Sequence, residues 1–416
     1  MSRHAIVIGA GLAGSSAAER LAARGWTIAL IERAAAPGLG ASGNLAGVLR
    51  PLPSVDDNRL ARLTRAGFAY ACAHCAALIE AGLPLRWRQT GVLHLARDER
   101  HAATQQRVVE LQQPALDELR YVEREEASQL AGWPVANGGW WFARGGWVDP
   151  ASLCRANLAR HAAAISTHYG CAVACIERQG ELWRACDSAG QLIAEAPILI
   201  LANASEATRF AAARHLPLRA ARGQVSHLPA AAGSAPEIVV CRLGYVTPAI
   251  DGLRSAGATF AVADDDPALR AADHAENLAR LDFMLPGYAR TADLAAIGGR
   301  VGFRPLSPDR LPMIGAVADA AASDGARPST ALADQPRLPG LYLINGFGAR
   351  GIVWSALAGE LLACLITGAP LPLADDLARA VDPGRFLLRG RPARLRSGGR
   401  PTGDAAQPCD QTLYGC

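Results

Sequence analysis

The chain has 416 residues, half of them hydrophobic and 19% charged, with a formal net charge of +4; this is a globular composition with room for two domains or one large α/β domain. All 42 residues counted as Lys or Arg are arginine, which excludes Schiff-base, pyridoxal-phosphate and Walker-type P-loop chemistry, each of which needs a lysine amine. The ten cysteines are too sparse for a disulfide scaffold and read as buried free thiols in a reducing compartment. The longest apolar stretch, Ile352 to Ile366, contains Glu360 and is shorter than the roughly 20 residues of a membrane span, so a soluble cytoplasmic protein with no membrane partner is expected.

Ala5-Ile6-Val7-Ile8 is a continuous apolar run, as a parallel strand buried on both faces requires. It enters Gly9-Ala10-Gly11-Leu12-Ala13-Gly14, after which Ala17, Ala18, Leu21 and Ala22 repeat at helical spacing until Gly25 closes the helix. A second strand, Thr27 to Ile31, ends at Glu32. This is a dinucleotide-binding arrangement: Gly9 allows the turn, Gly11 lets a pyrophosphate approach, Gly14 lets the helix pack closely, and Glu32 can accept ribose hydroxyls. The acid disfavours NADP, whose extra phosphate it would repel.

A second glycine-rich stretch follows at 37–47, with Ser42, Gly43, Asn44 and Gly47. NAD enzymes have no need of it, whereas the longer FAD molecule brings its flavin back against a second loop. Further along, Cys72-Ala73-His74-Cys75 matches CxxC without a second ligand pair, so a metal role is disfavoured. Trp133, Trp140, Trp141 and Trp147 cluster, either as a base-stacking platform or as sheet packing. His161, His168, Cys171 and Cys175 fall in and around a strand-like run and read as structural. The run 198–201 predicts a buried parallel strand, and 237–240 and 256–260 predict strands of a second sheet. Near the end, the strand 341–345 enters Gly346-Phe347-Gly348-Ala349-Arg350-Gly351 and an apolar helix over 352–365, a unit that can aim a helix N-terminus at the electron-rich side of a flavin.

These segments, with Gly145 to Pro150, Arg222-Gly223-Gln224, Gly244-Tyr245-Val246-Thr247-Pro248 and the run from Arg304 to Gly315, resemble the D-amino-acid oxidase and glycine oxidase superfamily of FAD enzymes up to about Arg389. Ala41 to Gly47, Asp56-Asp57-Asn58, Arg65 to Phe68, Arg222 to Ser226 and Gly348 to Gly351 are similar, within it, to the oxidase domain of the MnmC family of tRNA-modifying enzymes. The resemblance implies oxidative removal of the carboxymethyl group from 5-carboxymethylaminomethyl-(2-thio)uridine at the tRNA wobble position, giving the 5-aminomethyl form and glyoxylate. The chain starts one strand before the glycine turn, so the family's methyltransferase domain is expected to be absent and a separate methyltransferase protein becomes a candidate partner.

The implied fold is α/β: a Rossmann-like FAD-binding domain (1–85, 148–215 and 300–388) interleaved with a mixed-sheet substrate domain (86–147 and 216–299), then a disordered tail (389–416). The implied site places Gly9, Gly11, Gly14, Glu32, Arg33, Ser42, Gly43, Asn44, Gly47, Gly346, Gly348, Ala349, Arg350 and Gly351 on FAD. Arg304 is assigned to the substrate carboxylate, against a plain salt bridge, and Tyr245 to a hydroxyl donor, against core packing. Some relatives place a lysine over the flavin for reoxidation; here Arg350, Arg304 or the helix start at Gly348 must supply that positive potential. No Cys or His occurs from Ala275 to Ala363, so FAD is expected to be non-covalent. Arg59, Arg62 and Arg65, and the tail arginines Arg389, Arg391, Arg394, Arg396 and Arg400, can contact RNA phosphates or be ordinary solvated charge. Two competing functions share the residues: an oxidase or dehydrogenase of free glycine, sarcosine or D-amino acids, and a flavin-binding partner subunit without catalysis.

Overall fold

In the computed structural model, the apolar run at the start becomes the strand His4–Ile8, flanked on both sides by parallel neighbours. The structure describes residues 3–388 apart from 232, 292–293 and 326–330; the expected tail, 389–416, lies outside the described residues, and so do its arginines. Among the described residues a six-stranded sheet runs in the order Met313–Ala318, Arg337–Asn345, Ile198–Leu201, His4–Ile8, Thr27–Glu32, Ile165–Tyr169, with only the first strand antiparallel. Its central strands are unbroken aliphatic runs because both faces are covered.

One face is covered by the helix Leu12–Ala22, which packs against the helix Gly351–Thr367. That second helix is buried nearly all round, as its largely apolar sequence requires, with Glu360 paired to Arg20 and Arg24. It fits because glycines notch the contacts. A Cβ on Gly359 would lie 2.8 Å from the Ser16 carbonyl oxygen, and one on Gly67 would lie 2.6 Å from that of Val353, where the long helix Arg59–Glu80 crosses.

Among the described residues a nine-stranded mixed sheet forms the second layer, built from 92–95, 120–122, 139–142, 219–229, 239–241, 245–246, 253–257, 261–262 and 298–306. The two expected strands of this sheet occur as Val239–Cys241, starting after Pro236, and Leu253–Gly257. The strand Gly298–Leu306 pairs along its length with Arg219–Pro229 and runs through the expected boundary at residue 300. A small sheet of Gly47–Leu49, Gly146–Val148 and Trp87–Arg88 lies between the glycine loop and these strands.

Two expectations need correction. The run around Cys171 and Cys175 is not one strand: Gly170, at φ +65°, ends Ile165–Tyr169, and the next strand starts at Cys175 in a separate three-stranded sheet. Cys175 is therefore exposed and Cys171 partly so, while the other six described cysteines are buried; all eight are free thiols. No helix among the described residues is long and apolar enough to cross a membrane.

Candidate active site

The glycine turn after His4–Ile8 is set by backbone contacts. Gly9 has φ +105°, and a Cβ there would lie 2.7 Å from the Ala202 carbonyl oxygen; a Cβ on Gly14 would lie 1.8 Å from the Gly9 oxygen. Beyond its chain neighbours, a Cβ on Gly11 would meet Ser42 at 3.1 Å, whose Oγ accepts from the Leu12 backbone amide at 3.0 Å. The first turn of the helix thus meets the second glycine loop directly. Glu32 accepts from the amides of Ala10 (2.7 Å) and Ala34 (2.9 Å), so its carboxylate is held beside the turn, with lone pairs left over for ribose hydroxyls. Arg33 is exposed and 3.8 Å from Glu206.

The two helix starts are neighbours. A Cβ on Gly351 would lie 2.9 Å from Leu12 Cδ1, and one on Gly47 would lie 2.4 Å from Ile352 Cδ1. Gly346 and Gly348 take positive φ (+72° and +57°) to turn the chain into the helix, Arg350 is its N-cap residue, and Ala349 is exposed. Two N-terminal helix dipoles and two glycine loops therefore converge, a fit for the phosphates and the electron-rich ring edge of FAD.

The nine-stranded sheet reaches this point through the strand carrying Arg304. Leu306 bridges Phe347, and the Gly348 amide donates to the Pro305 carbonyl at 2.8 Å. Across the sheet, Tyr245 pairs with Gly257, Gly257 with Val225, and Val225 with Arg300, so these residues form a row. Alternation along the strand puts Gly302 and Arg304 on the face that Arg300 occupies. Gly223 and Gly302 leave that face bare, and the Arg304 guanidinium lies over Gly223: a Cβ there would be 2.2 Å from Nη1.

Arg304 donates to the Thr259 carbonyl at 3.2 Å and sits 5.9 Å from the Phe260 ring centre. It forms no ion pair with a carboxylate among the described residues, unlike Arg222, Arg270, Arg337 and Arg385. Burial pulls its pKa down and Tyr245 pulls it back up. Tyr245 is 8% exposed and packs with Ala46, Phe142 and Trp147, so core packing and proximity to Arg304 hold together.

Arg300 is a residue that the sequence reading missed. It donates to Asn44 Oδ1 at 3.2 Å and to the carbonyls of Leu39 and Gly40, and it covers Gly43. The available signal was the Arg300-Gly302-Arg304 alternation in one strand.

Several other candidates resolve as packing or ordinary charge. Trp140 and Trp147 are buried, Trp133 donates to the Pro286 carbonyl, and Trp141 covers Gly91, so they are not an open stacking platform. Arg62 pairs with Asp376 and Arg65 with Asp57. Cys72 and Cys75 lie buried in a helix, and burial pushes their thiols up to about 11 and about 12, the reverse of a redox CxxC. Arg222 is 1% exposed and ties the sheet's other face to Asp273 and the carbonyls of Asp266 and Ala268. No group of three or more His, Cys, Asp or Glu suited to a metal occurs among the described residues.

Comparison with known proteins agrees with this geometry. Residues 4–365 match the DAO family model, described as FAD dependent oxidoreductase. The chain is 60% identical over 397 residues to the tRNA 5-methylaminomethyl-2-thiouridine biosynthesis bifunctional protein MnmC of Aromatoleum aromaticum, covering 95% of this chain and 62% of that protein. It is 56% identical to the same-named protein of Azoarcus sp., covering 95% and 61%. The chain therefore spans about three fifths of the length of these curated relatives. Among solved structures, glycine oxidase from Geobacillus kaustophilus superposes with a TM-score of 0.75 at 22% identity, covering 92% of this chain and 98% of that one. Iminodiacetate oxidase from Chelativorans sp. superposes at 0.71 with 25% identity, covering 89% and 97%. The chain belongs to the DAO family of FAD-dependent oxidoreductases, and FAD is its cofactor.

Proposed function

We propose that this enzyme removes the carboxymethyl group from 5-carboxymethylaminomethyl-(2-thio)uridine at the wobble position of tRNA, leaving the 5-aminomethyl nucleoside and glyoxylate. The observation that carries the reading is Arg304: a guanidinium on a glycine floor, beside Tyr245, on the strand whose next residue, Pro305, accepts from the Gly348 amide, with no carboxylate ion pair among the described residues. A substrate carboxylate is the partner such a group lacks. The relatives named for biosynthesis of this class of uridine support the nucleoside as the substrate. Iminodiacetate, in the name of one structural neighbour, is itself a secondary amine bearing a carboxymethyl group.

Bound FAD supplies a two-electron acceptor. The side chains do the rest: Arg304 binds the carboxylate in its plane and Tyr245 stands close enough to add a hydroxyl donor, which together fix the carbon between amine and carboxylate. The neutral amine loses a hydride and a proton to become an imine; water adds across the C=N bond and releases the primary amine and glyoxylate. No protein nucleophile is required. Arg350 and the helix start at Gly348 provide positive potential for reoxidation by O2. Arg300 positions the second glycine loop through Asn44 and the carbonyls of Leu39 and Gly40.

The division into FAD-binding segments 1–85, 148–215 and 300–388 and substrate segments 86–147 and 216–299 belongs to the same proposal. So do the cytoplasmic location, the non-covalent FAD, and its contacts to Gly9, Gly11, Gly14, Glu32, Arg33, Ser42, Gly43, Asn44, Gly47, Gly346, Gly348, Ala349, Arg350 and Gly351. We assign these residues the oxidative step alone; methylation of the product would need a separate methyltransferase active site. Oxidation of free glycine, sarcosine or a D-amino acid is the competing reading, since an amine beside a carboxylate would use Arg304 in the same way. Incubating the purified holoenzyme with tRNA from a strain that accumulates the carboxymethylaminomethyl nucleoside, followed by nucleoside mass spectrometry, tests the proposal. Conversion to the aminomethyl nucleoside is expected; unchanged tRNA with oxidation of free glycine or sarcosine would contradict it.

A further inference from the structure

The nine-stranded sheet holds a second arginine-lined cleft, on the face opposite Tyr245. Val240 and Val246 pack with Leu281 and Met284 of the helix Ala271–Met284, whereas Cys241 and Tyr245 pack on the other side with Ala46 and Trp147. The strands Val92–Leu95 and Val239–Cys241 run parallel, so their carboxyl ends open side by side. An arginine follows each end, Arg97 and Arg242, and both line an open cleft of about 560 Å³ together with Asn137, Asp282 and Phe283.

Arg242 is 6% exposed. Its guanidinium lies 3.7 Å from the centre of the Phe283 ring and donates to the carbonyls of Phe283 (2.9 Å) and Arg97. The Nε atoms of Arg97 and Arg242 are both buried without a hydrogen-bond partner, and neither arginine has an ion pair with a carboxylate among the described residues. Of the nearby acids, Asp98 caps the helix Glu99–Gln112 through the His101 amide and attracts Arg242 without forming an ion pair, and Asp282, on the cleft wall, accepts from the Ala289 amide at 3.4 Å. Burial pushes Arg242 down to about 10, which leaves it charged at neutral pH. Phe283 is 45% exposed; with Arg242 on its ring, its exposed surface is presented to solvent.

Two guanidiniums without a carboxylate ion pair among the described residues, beside an exposed aromatic ring, suit a phosphate with an adjoining base. We propose that this cleft binds an unpaired nucleotide of the RNA substrate other than the reacting one, with its phosphate on Arg97 and Arg242 and its base on Phe283. The inference rests on tRNA being the substrate.

The test compares the flavin-loaded wild type with Phe283→Ala and Arg97→Ala, measuring tRNA binding across a salt series and steady-state turnover of modified tRNA. Phe283→Ala is expected to weaken binding about tenfold through lost stacking. Arg97→Ala is expected to reduce the slope of log affinity against log salt by about one. In both, KM rises while kcat at saturating tRNA and the flavin spectrum stay at wild-type values. Phe283→Leu, which keeps an apolar side chain but removes the aromatic face, repeats the loss if Phe283→Ala folds poorly. Wild-type affinity in all three variants, with wild-type protein that binds and converts tRNA, overturns the cleft assignment. Wild-type protein that neither binds nor converts tRNA overturns the functional reading beneath it.

Discussion

At the turn after His4–Ile8, glycine lets backbone meet backbone, whereas on the nine-stranded sheet it makes room for long side chains. The neighbour that a Cβ on Gly14 would strike is a carbonyl oxygen at 1.8 Å, which cannot move without dismantling the turn; the neighbour at Gly223 is the far end of Arg304, 2.2 Å away. The dinucleotide end should therefore fail by losing its cofactor, and the substrate end by losing its alignment with the cofactor still bound.

Gly14→Ala separates the two most sharply. Overpacking against backbone costs about 1–3 kcal/mol or more, and the purified variant is expected to carry almost no flavin, read from the ratio of visible to protein absorbance. A normally yellow protein would break the comparison. Arg304→Ala should keep its flavin but lose about 10²–10³-fold in kcat/KM, the cost of deleting one partner of a buried charge pair. Arg304→Lys should recover only part of that, because an ammonium cannot bind a carboxylate in the bidentate plane. Gly223→Ala should raise KM about tenfold with full flavin content, and should add little to Arg304→Ala, since coupled neighbours are not additive.

Arg350→Ala sharpens the account of the reduced state. Stopped-flow reoxidation by O2 should slow about tenfold while reduction by substrate is unchanged, as expected if Arg350 supplies positive potential where charge develops. An unchanged rate would move that role to Arg304 or the helix start.

The smallest expected effect is on stability. His94 is partly buried against Trp140, and its pKa is held well below the ordinary value, first by desolvation and then by Arg50; burial also lowers His74, His215 and His227. In the unfolded chain these imidazoles protonate near pH 6.5, so below that the unfolded state binds more protons. Stability is full above pH 6.5 and falls as pH drops toward the folded values, by up to about 1.4 kcal/mol per pH unit for each histidine. His94→Gln should flatten the acid limb of a denaturation series; an equal slope would show that His94 is not part of it.

Much of the dinucleotide end was legible because it is local: the strand, Gly9, Gly11, Gly14, helix and Glu32 lie within 29 residues, and each residue's spacing carries its own reason. The run 198–201 was legible for the same reason, since a strand buried on both faces must be aliphatic throughout. The substrate end was not. Arg304 and Tyr245 could be named only through a family resemblance, because Tyr245, Gly257, Val225 and Arg300 become a row through pairing of strands distant in sequence, and register cannot be read from residue types alone. Arg300 escaped notice because two of its partners are the carbonyls of Leu39 and Gly40, which any sequence could offer, and the third, Asn44, is 256 residues away. The strand expected across Cys171 and Cys175 failed because residues 171–174 connect two sheets, between Gly170, which ends Ile165–Tyr169 at positive φ, and the strand that starts at Cys175; alternation alone does not distinguish such a connection from a strand.

The most direct measurement mixes the yellow holoenzyme, without oxygen, with carboxymethylaminomethyl-bearing tRNA and separately with glycine, sarcosine and D-alanine, following loss of the visible flavin band. The account predicts bleaching with that tRNA alone, conversion of its nucleoside to the aminomethyl form, and no bleaching by Arg304→Ala on the same timescale. Bleaching by a free amino acid and not by the tRNA, or rapid bleaching of Arg304→Ala, would contradict it.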